Sequence, residues 1–425
     1  ARDSQIEGLA TGRRLLERRI REIDDSRALA EKNLSAAELE LARWVDLGAQ
    51  LAQGLGGGEA LVEPNEFRVL VDVLQELLGD LAGDLSALVH PESLLLALKF
   101  RQARPMKRAF ITGITGQDGY YLSKLLLEKE YEVHGFAHRG SRAPDPRVRM
   151  HYGNLADPAV LRHALGESDP HEIYNLGAQS HVGASFTEPA YTFQVTALPI
   201  VTILEHVRAS GVRAPWPRLR VYTASSSEMF GLEPAPQNEE TRFSPQSPYA
   251  IAKVAAHLSV GLYRRAYGMF AVGGILMNHE SPIRPTAFVT RKITHAVARI
   301  KRGLDRELVL GNLDARRDWG FAGDYVDAMW RMLQQDEPRD FVVATGETHS
   351  VREFCEAAFN VVGLNWMEHV RVDDKFKRPA EVPDLCGDAS RIREALGWTP
   401  KVTFRELVEM MVRADLEQVA EKSTG

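Results

Sequence analysis

Cysteine is almost absent from this chain, which has only Cys355 and Cys386 among its 425 residues. The two are too far apart for a CxxC motif or a metal-ligand spacing, so the sequence predicts no metal site. We interpret them as buried free thiols, which fits a reducing cytoplasm. No apolar run approaches the roughly 18 residues of a membrane span. Residues 1–30 are heavily charged and do not resemble a signal peptide.

An excess of charge of one sign is missing as well. Lys and Arg total 52 against 58 Asp and Glu, a net charge of −6. This balance gives no support for nucleic-acid binding or for a basic membrane-binding surface. Hydrophobic residues make up 44% and charged residues 26%, as in an ordinary globular protein. The length allows two or three domains.

The first 105 residues contain no catalytic constellation and are predicted to form an all-α extension. Apolar residues at helical spacing run from Phe67 to Leu81, and Ser35-Ala36-Ala37-Glu38 fits a capping box. Arginines between Arg13 and Arg21 alternate with acidic residues, so we interpret them as a solvated face rather than a phosphate contact. The extension is expected to be an interaction or oligomerisation module, or the remnant of a fused enzyme. Unchanged turnover and oligomer size after its deletion would reject both a catalytic and an assembly role.

A glycine-rich turn, GxxGxxG, occupies Gly113 to Gly119. It follows the apolar run Ala109-Phe110-Ile111 and precedes a helical segment that starts at Tyr120. A strand, a glycine-rich turn and a helix form a cradle in which a pyrophosphate lies on the helix N-terminus. This spacing is typical of folds like those of short-chain dehydrogenases, so it predicts a nicotinamide dinucleotide. Because Pro105 precedes a start-like Met106, we place the beginning of the dinucleotide-binding domain there.

The second predicted strand, Glu132 to Phe136, leads into His138, Arg139 and Ser141. An NAD enzyme commonly has an acidic residue at this point to bind the ribose 2′-hydroxyl, whereas a cation beside a hydroxyl suits a 2′-phosphate. The sequence therefore favours NADP, unless Arg139 is merely a surface arginine.

Later loops continue the same cofactor site. Gly153-Asn154-Leu155 is expected under the adenine. A further predicted strand, Glu172 to Leu176, ends in Gly177-Ala178-Gln179-Ser180, whose small residues let a cofactor pass close to the backbone. The order of these segments, after the glycine-rich turn, is what gives each of them meaning.

A catalytic constellation follows the strand Leu219 to Thr223. Ser226 and Glu228 lie just beyond that strand, and Tyr249 and Lys253 are four residues apart on one face of the next predicted helix. A phenol beside an ammonium is expected to have a lowered pKa and to accept a proton from an alcohol. Glu228 discriminates between reactions, because a simple reductase or epimerase does not need this carboxylate. Removing a C5 proton and expelling a C6 hydroxyl does need it.

These residues resemble the GDP-mannose 4,6-dehydratase family of extended short-chain dehydrogenases from Met106 to about residue 417. The most specific matches lie outside the shared motifs. They are Asn278-His279-Glu280-Ser281-Pro282, Phe288-Val289-Thr290-Arg291-Lys292, Arg317-Asp318-Trp319-Gly320 and Arg378-Pro379-Ala380-Glu381-Val382.

The resemblance implies bound NADP and the conversion of GDP-α-D-mannose to GDP-4-keto-6-deoxy-D-mannose. It implies that Ser226, Glu228, Tyr249 and Lys253 are catalytic. Motifs and resemblance together assign a set of residues to cofactor contact: Gly113, Thr115, Gly116, Gln117, Asp118, Gly119, His138, Arg139, Ser141, Asn154, Leu155, Leu176, Gly177, Ala178, Gln179, Ser180, Tyr191, Lys253, His279 and Arg284. The residues assigned to the substrate are Ser180, Glu228, Tyr249, Asn278, Lys292, Arg317, Arg378 and Glu381. An alternative for Arg317 is a salt bridge with Asp318.

Several positions depart from the family pattern without removing a catalytic group. Asn154 stands where an acid is usual, Ser226 where Thr is usual, and His138 where an arginine is usual. Ile283 replaces a usual basic or larger residue. The loop after Arg142 is short, and in the family this loop contributes to tetramer contacts.

The predicted fold is α/β: a doubly wound, parallel Rossmann domain over 106–275, to which later segments return, and a smaller sugar-nucleotide domain over 276–425. We expect a cytoplasmic homodimer or homotetramer, and 1–105 could bind a protein partner. A second enzyme class stays open, a reductase or epimerase that uses NADP on a nucleotide sugar. A GDP-manno-heptose as substrate would share every motif.

Overall fold

A computed structural model describes residues 106–210, 219–373, 375 and 380–423. The prediction of helices for 1–105 and the site residue Arg378 lie outside these residues. The described strands, numbered in chain order, are β1 Arg108–Thr112, β2 Glu132–Ala137, β3 Arg149–Tyr152, β4 Glu172–Asn175, β5 Arg220–Ser226, β6 Ala271–Leu276, β7 Asn278–Glu280, β8 Leu308–Leu310, β9 Arg316–Arg317, β10 Trp319–Phe321, β11 Phe341–Val343, β12 His349–Ser350, β13 Val370–Val372 and β14 Asp384–Leu385.

The helices alternate with these strands. They are α1 Gln117–Glu128, α2 Pro158–Ser168, α3 Val182–Thr187, α4 Pro189–Thr196, α5 Leu198–Ala209, α6 Pro248–Tyr267, α7 Val289–Lys301, α8 Ala322–Met332, α9 Val351–Val361, α10 Ser390–Leu396 and α11 Phe404–Ser423, with 3-10 turns at Ser227–Met229 and Trp366–Glu368.

The main sheet has seven strands in the order β11-β6-β5-β4-β1-β2-β3. Every neighbouring pair is parallel. The chain runs outward from β1 to β3, then crosses back to β4 and proceeds the other way, so the direction of winding reverses between β1 and β4. The predicted doubly wound Rossmann fold is confirmed. The chain leaves the sheet after β6 and returns to it with β11.

Three apolar cores hold these elements together. One core packs α1 and α8 on one face of the sheet, and a second packs α2, α5 and α6 on the other face. A third core joins α7, α9 and α11 and belongs to the C-terminal part of the chain. Parallel strands covered by helices on both faces are buried along their length, as the fully buried β4 and β6 show.

Local signals explain where the key helix α6 begins and ends. The side chain of Ser247 accepts a hydrogen bond from the backbone N–H of Ala250, and Pro248 occupies the first turn, where its missing N–H is not needed. Gly268 ends the helix in the left-handed conformation, with φ of 65°. Within the described ranges, no helix is long and apolar enough to cross a membrane.

Candidate functional site

A cleft of about 640 Å³ opens at the carboxyl ends of β1, β4, β5 and β6. Strand ends beside a reversal of winding are where open α/β sheets bind ligands. The predicted residues that line it are Gly113, Thr115, Gly116, Gln117, Asp118, His138, Leu155, Leu176, Gly177, Ala178, Ser180, Ser226, Glu228, Tyr249, Lys253, Asn278, His279, Arg284, Lys292, Arg317 and Glu381.

Glycine is required in the turn between β1 and α1. Gly113 has φ of +70°, and a Cβ there would lie 2.7 Å from the Cα of Gly177. A Cβ on Gly119 would lie 2.5 Å from the carbonyl oxygen of Gly113. Gly119 therefore permits the close packing of the turn but does not line the cleft. No described side chain caps the start of α1, so its N–H groups remain available to an anion.

Hydrogen bonds connect the start of α1 to the segment after β6. Gln117 donates to the backbone oxygen of His279 (3.0 Å) and accepts from the hydroxyl of Ser281 (2.8 Å). The Nε2 of His279 lies 2.9 Å from a carboxylate oxygen of Asp118. His279 and Asp118, both expected to contact the cofactor, thus contact each other at the wall of the cleft.

Asp118 and His279 each shift the pKa of the other. Burial alone raises the pKa of Asp118, but His279 and Arg284 outweigh it and lower this pKa to about 2. Burial alone lowers the pKa of His279, but the attraction and hydrogen bond of Asp118 raise it above 6.5. Each group therefore stabilises the charged form of the other.

The substitution Asp118→Asn is expected to destabilise the protein in a pH-dependent way, by about 1.5–3 kcal/mol where the effect is largest. Because folding raises the pKa of His279, this residue stabilises the folded protein fully below pH 6.5, and the stabilisation is lost as the pH rises through the pKa of His279 in the folded state. Because folding lowers the pKa of Asp118, this residue stabilises the folded protein above pH 3.8, and the stabilisation is lost as the pH falls towards 2. The difference in melting temperature between wild type and variant, measured from pH 5 to pH 9, should be largest near pH 5 to 6. A difference in melting temperature that grows above pH 8 would contradict the pairing of Asp118 with His279.

Ser226 and Glu228 stand at the end of β5. The hydroxyl of Ser226 accepts a hydrogen bond from the backbone N–H of Glu228 (3.2 Å) and so begins the 3-10 turn that carries this carboxylate. Ser226 also hydrogen-bonds the phenol of Tyr249. The structure therefore brings a hydroxyl, a carboxylate and a phenol to one wall of the cleft.

Lys253 lies one helical turn after Tyr249. Its ammonium donates to the backbone oxygen of Ala224 (2.7 Å) and lies 5.8 Å from the centroid of the Tyr249 ring. Both side chains are buried. The backbone of β5 thus fixes the lysine beside the tyrosine.

The expectation of a lowered pKa for Tyr249 was wrong for the structure as it stands. Burial raises the pKa of Tyr249 to about 12, which the hydrogen bond of Ser226 only partly offsets. Burial likewise lowers the pKa of Lys253 to about 8. Desolvation outweighs the attraction between phenolate and ammonium that the spacing suggested.

Other residues of the cleft lining supply cations and an amide. The Oδ1 of Asn278 is buried without a hydrogen-bond partner among the described residues. Lys292 donates to the backbone oxygen of Val309 (2.7 Å), and burial together with the nearby Lys375 lowers its pKa. Crowded cations and an unsatisfied amide suit an anionic, hydroxylated ligand.

Arg317 lies buried in the cleft wall next to Asp318 in sequence. The carboxylate of Asp318 accepts hydrogen bonds from the backbone and hydroxyl of Thr345 (3.0 and 2.7 Å) and from the backbone of Gly346 (2.9 Å). Asp318 therefore holds the loop after β11, while Arg317 lines the cleft.

Some predicted cofactor residues lie outside the cleft lining: Gly119, Arg139, Ser141, Asn154, Gln179 and Tyr191. Arg139 lines a neighbouring hollow of about 420 Å³ with Tyr152 and His163. Asn154 instead accepts a hydrogen bond from the backbone of Ala156 (2.9 Å). Tyr191 is 41% exposed on α4. Within the described ranges, no three His, Cys, Asp or Glu side chains gather as a metal site would need.

Sequence reasoning missed much of the segment 282–288, between β7 and α7. Besides the predicted Arg284, its residues Pro285, Ala287 and Phe288 line the cleft. Two prolines in this short stretch mark it as a loop. No motif in it indicated that the loop would cover a ligand.

Comparison with known proteins fits this geometry. The family model described as GDP-mannose 4,6 dehydratase matches residues 110–411. GDP-mannose 4,6 dehydratase 1 of Arabidopsis thaliana is 52% identical over 332 residues, which cover 74% of this chain and 91% of that protein. The human GDP-mannose 4,6 dehydratase is 46% identical over 347 residues, 74% of this chain and 92% of its own length. A UDP-glucose 4-epimerase from Thermus thermophilus, solved with NAD, aligns at 26% identity with a TM-score of 0.64, covering 72% of this chain and 98% of that one. The chain belongs to the GDP-mannose 4,6-dehydratase family.

Proposed function

We propose that this chain converts GDP-α-D-mannose to GDP-4-keto-6-deoxy-D-mannose with NADP as its cofactor. The observation that carries this proposal is the position of Glu228, which shares one wall of the cleft with Ser226, Tyr249 and Lys253. In the glycine-rich turn Gly113 packs against Gly177 too closely for a Cβ, and the N–H groups at the start of α1, which no described side chain caps, suit the pyrophosphate of a dinucleotide. The family membership of the chain and the dehydratase names of its relatives support the same reaction.

The first half of the reaction is an oxidation at C4. When bound, a nicotinamide dinucleotide accepts a hydride and later returns it, so no external oxidant is consumed. Tyr249 takes the proton of the C4 hydroxyl, helped by the hydrogen bond from Ser226. Lys253, tied to the carbonyl of Ala224, holds a cation beside the phenol and lowers the cost of its ionised form.

The second half eliminates water across C5 and C6. The 4-ketone acidifies the C5 hydrogen, and Glu228 removes that proton. Ser226 and Glu228 then assist loss of the C6 hydroxyl, for which the proton on Glu228 is a suitable donor. C5 is reprotonated after C6 is reduced, and the sum is the loss of one water molecule.

We assign the diphosphate and guanosine to the cations and polar groups of the cleft lining. Arg317 and Lys292 supply cations for the diphosphate. Partial burial, together with the nearby Lys375, lowers the pKa of Lys292. Arginine is suited to bidentate contact with phosphate oxygens. Asn278 and Glu381 also line the cleft, and we assign them to the substrate with Arg378, which lies outside the described residues.

Incubating the pure protein with GDP-mannose and no added NADPH tests the reaction. We expect a 4-ketosugar that absorbs in alkali, formed over many turnovers. Turnover that requires stoichiometric NADPH would instead indicate the reductase alternative, and recovery of an epimer would indicate an epimerase. Parallel assays with a GDP-manno-heptose decide between hexose and heptose by their kcat/KM values.

NADP is proposed over NAD because His138, which lines the cleft, and Arg139 follow directly after β2. An arginine at this point suits a 2′-phosphate, and no acidic residue stands there for a free 2′-hydroxyl. We expect Arg139→Ala to weaken NADPH binding about tenfold and to leave NADH binding unchanged, as for the loss of one charge-assisted contact. Fluorescence titration measures both dissociation constants. Equal weakening of the two cofactors would contradict a 2′-phosphate contact.

A homodimer is proposed from an exposed apolar stripe on α6. Ile251, Leu258 and Leu262 follow one another at helical spacing and are 52%, 56% and 53% exposed. Leu198, at the start of the neighbouring α5, is 49% exposed. A contiguous apolar surface of this kind is typical of an interface with another copy.

Placing charges on this stripe should dissociate the dimer. We expect Leu258→Glu with Leu262→Glu to elute as a monomer in light-scattering chromatography, because two carboxylates would be buried unpaired. Leu304→Glu, at a residue 49% exposed elsewhere, is the matched control and should leave the mass unchanged. A wild-type protein that is already monomeric would refute the interface.

A cytoplasmic location is proposed because both cysteines are free thiols, with Cys355 buried. Burial raises the pKa of Cys355 to about 12, so it is unreactive. Cell fractionation tests this location, and recovery in a secreted fraction would refute it.

A further inference from the structure

The segment 282–288 covers part of the cleft but makes few backbone hydrogen bonds of its own. The backbone N–H of Arg284 donates to the backbone oxygen of Ser281 (3.0 Å), and the backbone N–H of Phe288 donates to the backbone oxygen of Pro285 (3.1 Å). The guanidinium of Arg284 lies 3.7 Å from the centroid of the Phe288 ring. These bonds, and a longer one from the backbone N–H of Ile283 to the hydroxyl of Ser281 (3.4 Å), are all local to the turn. The position of the segment against a ligand therefore depends on contacts with other elements.

Arg291, on α7, holds it. The Nη1 of Arg291 donates to the backbone oxygens of Pro282 and Arg284, the latter at 3.1 Å. Its Nε lies 2.9 Å from both carboxylate oxygens of Asp415, and its Nη2 lies 2.8 Å from Asp415 and 3.1 Å from the Oε1 of Gln418. Every nitrogen of the guanidinium is thus engaged, and the segment is linked through Arg291 to the helix α11.

The Arg291–Asp415 pair is buried. Arg291 is 6% exposed and Asp415 is 0% exposed. The hydroxyl of Thr294 donates to the same carboxylate (2.7 Å), which fixes its orientation. A buried ion pair by itself need not stabilise a fold, because apolar residues can often replace it without a loss of stability. Apolar residues could not donate hydrogen bonds to the two backbone oxygens of the segment, however, and Arg291 does.

Arg284 connects the segment 282–288 to the residues of the cleft. Its Nε lies 3.2 Å from a carboxylate oxygen of Glu280. Its charge acts on Asp118 at the start of α1 and on the phenol of Tyr249. A shift in the backbone at 284 therefore moves a cation relative to both the glycine-rich turn and the catalytic wall.

We propose that Arg291 and Asp415 are positioning residues that hold Arg284 and the segment 282–288 against the bound dinucleotide. Neither is among the residues that line the cleft. The inference rests on the proposed cofactor site and adds to it a support that reaches from the C-terminal helix.

Arg291→Lys tests this role. A lysine keeps the charge opposite Asp415, but its single nitrogen cannot also reach both backbone oxygens. We expect the dissociation constant for NADPH, titrated by fluorescence on the full chain, to rise about tenfold, as for two lost hydrogen bonds. Arg299→Lys is the matched control, because Arg299 lies on the same helix and pairs with Asp305 (2.6 and 3.0 Å) away from the segment. It should bind NADPH as the wild type does.

A double-mutant cycle separates positioning from a general loss of structure. If Arg291 acts through Arg284, the double variant Arg284→Met, Arg291→Lys should bind NADPH no more weakly than Arg284→Met alone. Additive effects, or an Arg291→Lys protein that binds like Arg299→Lys, would overturn the inference. If Arg291→Lys does not fold, Asp415→Asn replaces it in the same cycle. Failure of the wild type to bind NADPH would refute the proposed function instead.

Discussion

Replacing Glu228 with glutamine is expected to lower turnover of GDP-mannose by about 10²- to 10⁴-fold, the usual contribution of a general acid–base group. The amide keeps the shape of the carboxylate but cannot accept the C5 proton. The C4 step does not use Glu228, so cofactor binding should be unchanged. Formation of the alkali-absorbing 4-ketosugar measures the rate.

Isotope labelling shows which step is lost. With GDP-[5-²H]mannose, the wild type should exchange the C5 label with solvent during turnover, and Glu228→Gln should return substrate with the label intact. Glu240→Gln is the matched control, because Glu240 is exposed and pairs only at the surface with Arg391 (2.9 Å). Normal loss of the label in Glu228→Gln would show that another group removes the C5 proton.

The sequence predicts the parts of this site that arise from residues close together in the chain. Gly113, Gly116 and Gly119 mark a turn within seven residues, in which Gly113 has a positive φ and a Cβ on Gly119 would meet the backbone of the turn itself. Tyr249 and Lys253 share a face because a helix repeats at that spacing. Glu228 follows Ser226 within one short turn. For such features, local geometry alone determines how the side chains meet.

The parts that sequence reasoning missed depend on contacts between distant residues. Asp118 meets His279 because β7 lies beside the start of α1, and Arg291 meets Asp415 because α11 packs against α7. No spacing rule links residues that are more than a hundred positions apart. Arg284 was predicted as a cofactor contact through family resemblance, but the anchor behind it was not.

The pKa of Tyr249 shows the same limit in electrostatics. Spacing places an ammonium near the phenol, and that alone would lower the pKa. Burial decides the direction of the pKa shift for both Tyr249 and Lys253, and how deeply a group is buried depends on the whole fold. Ser226 and Arg284 lower the pKa of Tyr249 against this desolvation, and the four-residue spacing indicates neither of them.

This balance leads to the second large effect, that of Tyr249→Phe. With a pKa of about 12, the buried phenol is protonated near neutral pH and hydrogen-bonded to Ser226. It can accept the C4 proton only as the phenolate, whereas phenylalanine cannot accept it at all. We expect kcat to fall about 10²- to 10⁴-fold while the dissociation constant for NADPH stays unchanged.

Isotope effects distinguish this variant from Glu228→Gln. In Tyr249→Phe the C4 oxidation should limit the rate, so GDP-[4-²H]mannose should react more slowly than the unlabelled substrate. The C5 label should also be retained, because no ketone forms to acidify that position. Tyr267→Phe, at an exposed tyrosine at the end of the same helix, should turn over as the wild type does. Full C5 exchange in Tyr249→Phe would assign the C4 proton to another base, and Glu228 would be the nearest candidate because it shares that wall of the cleft.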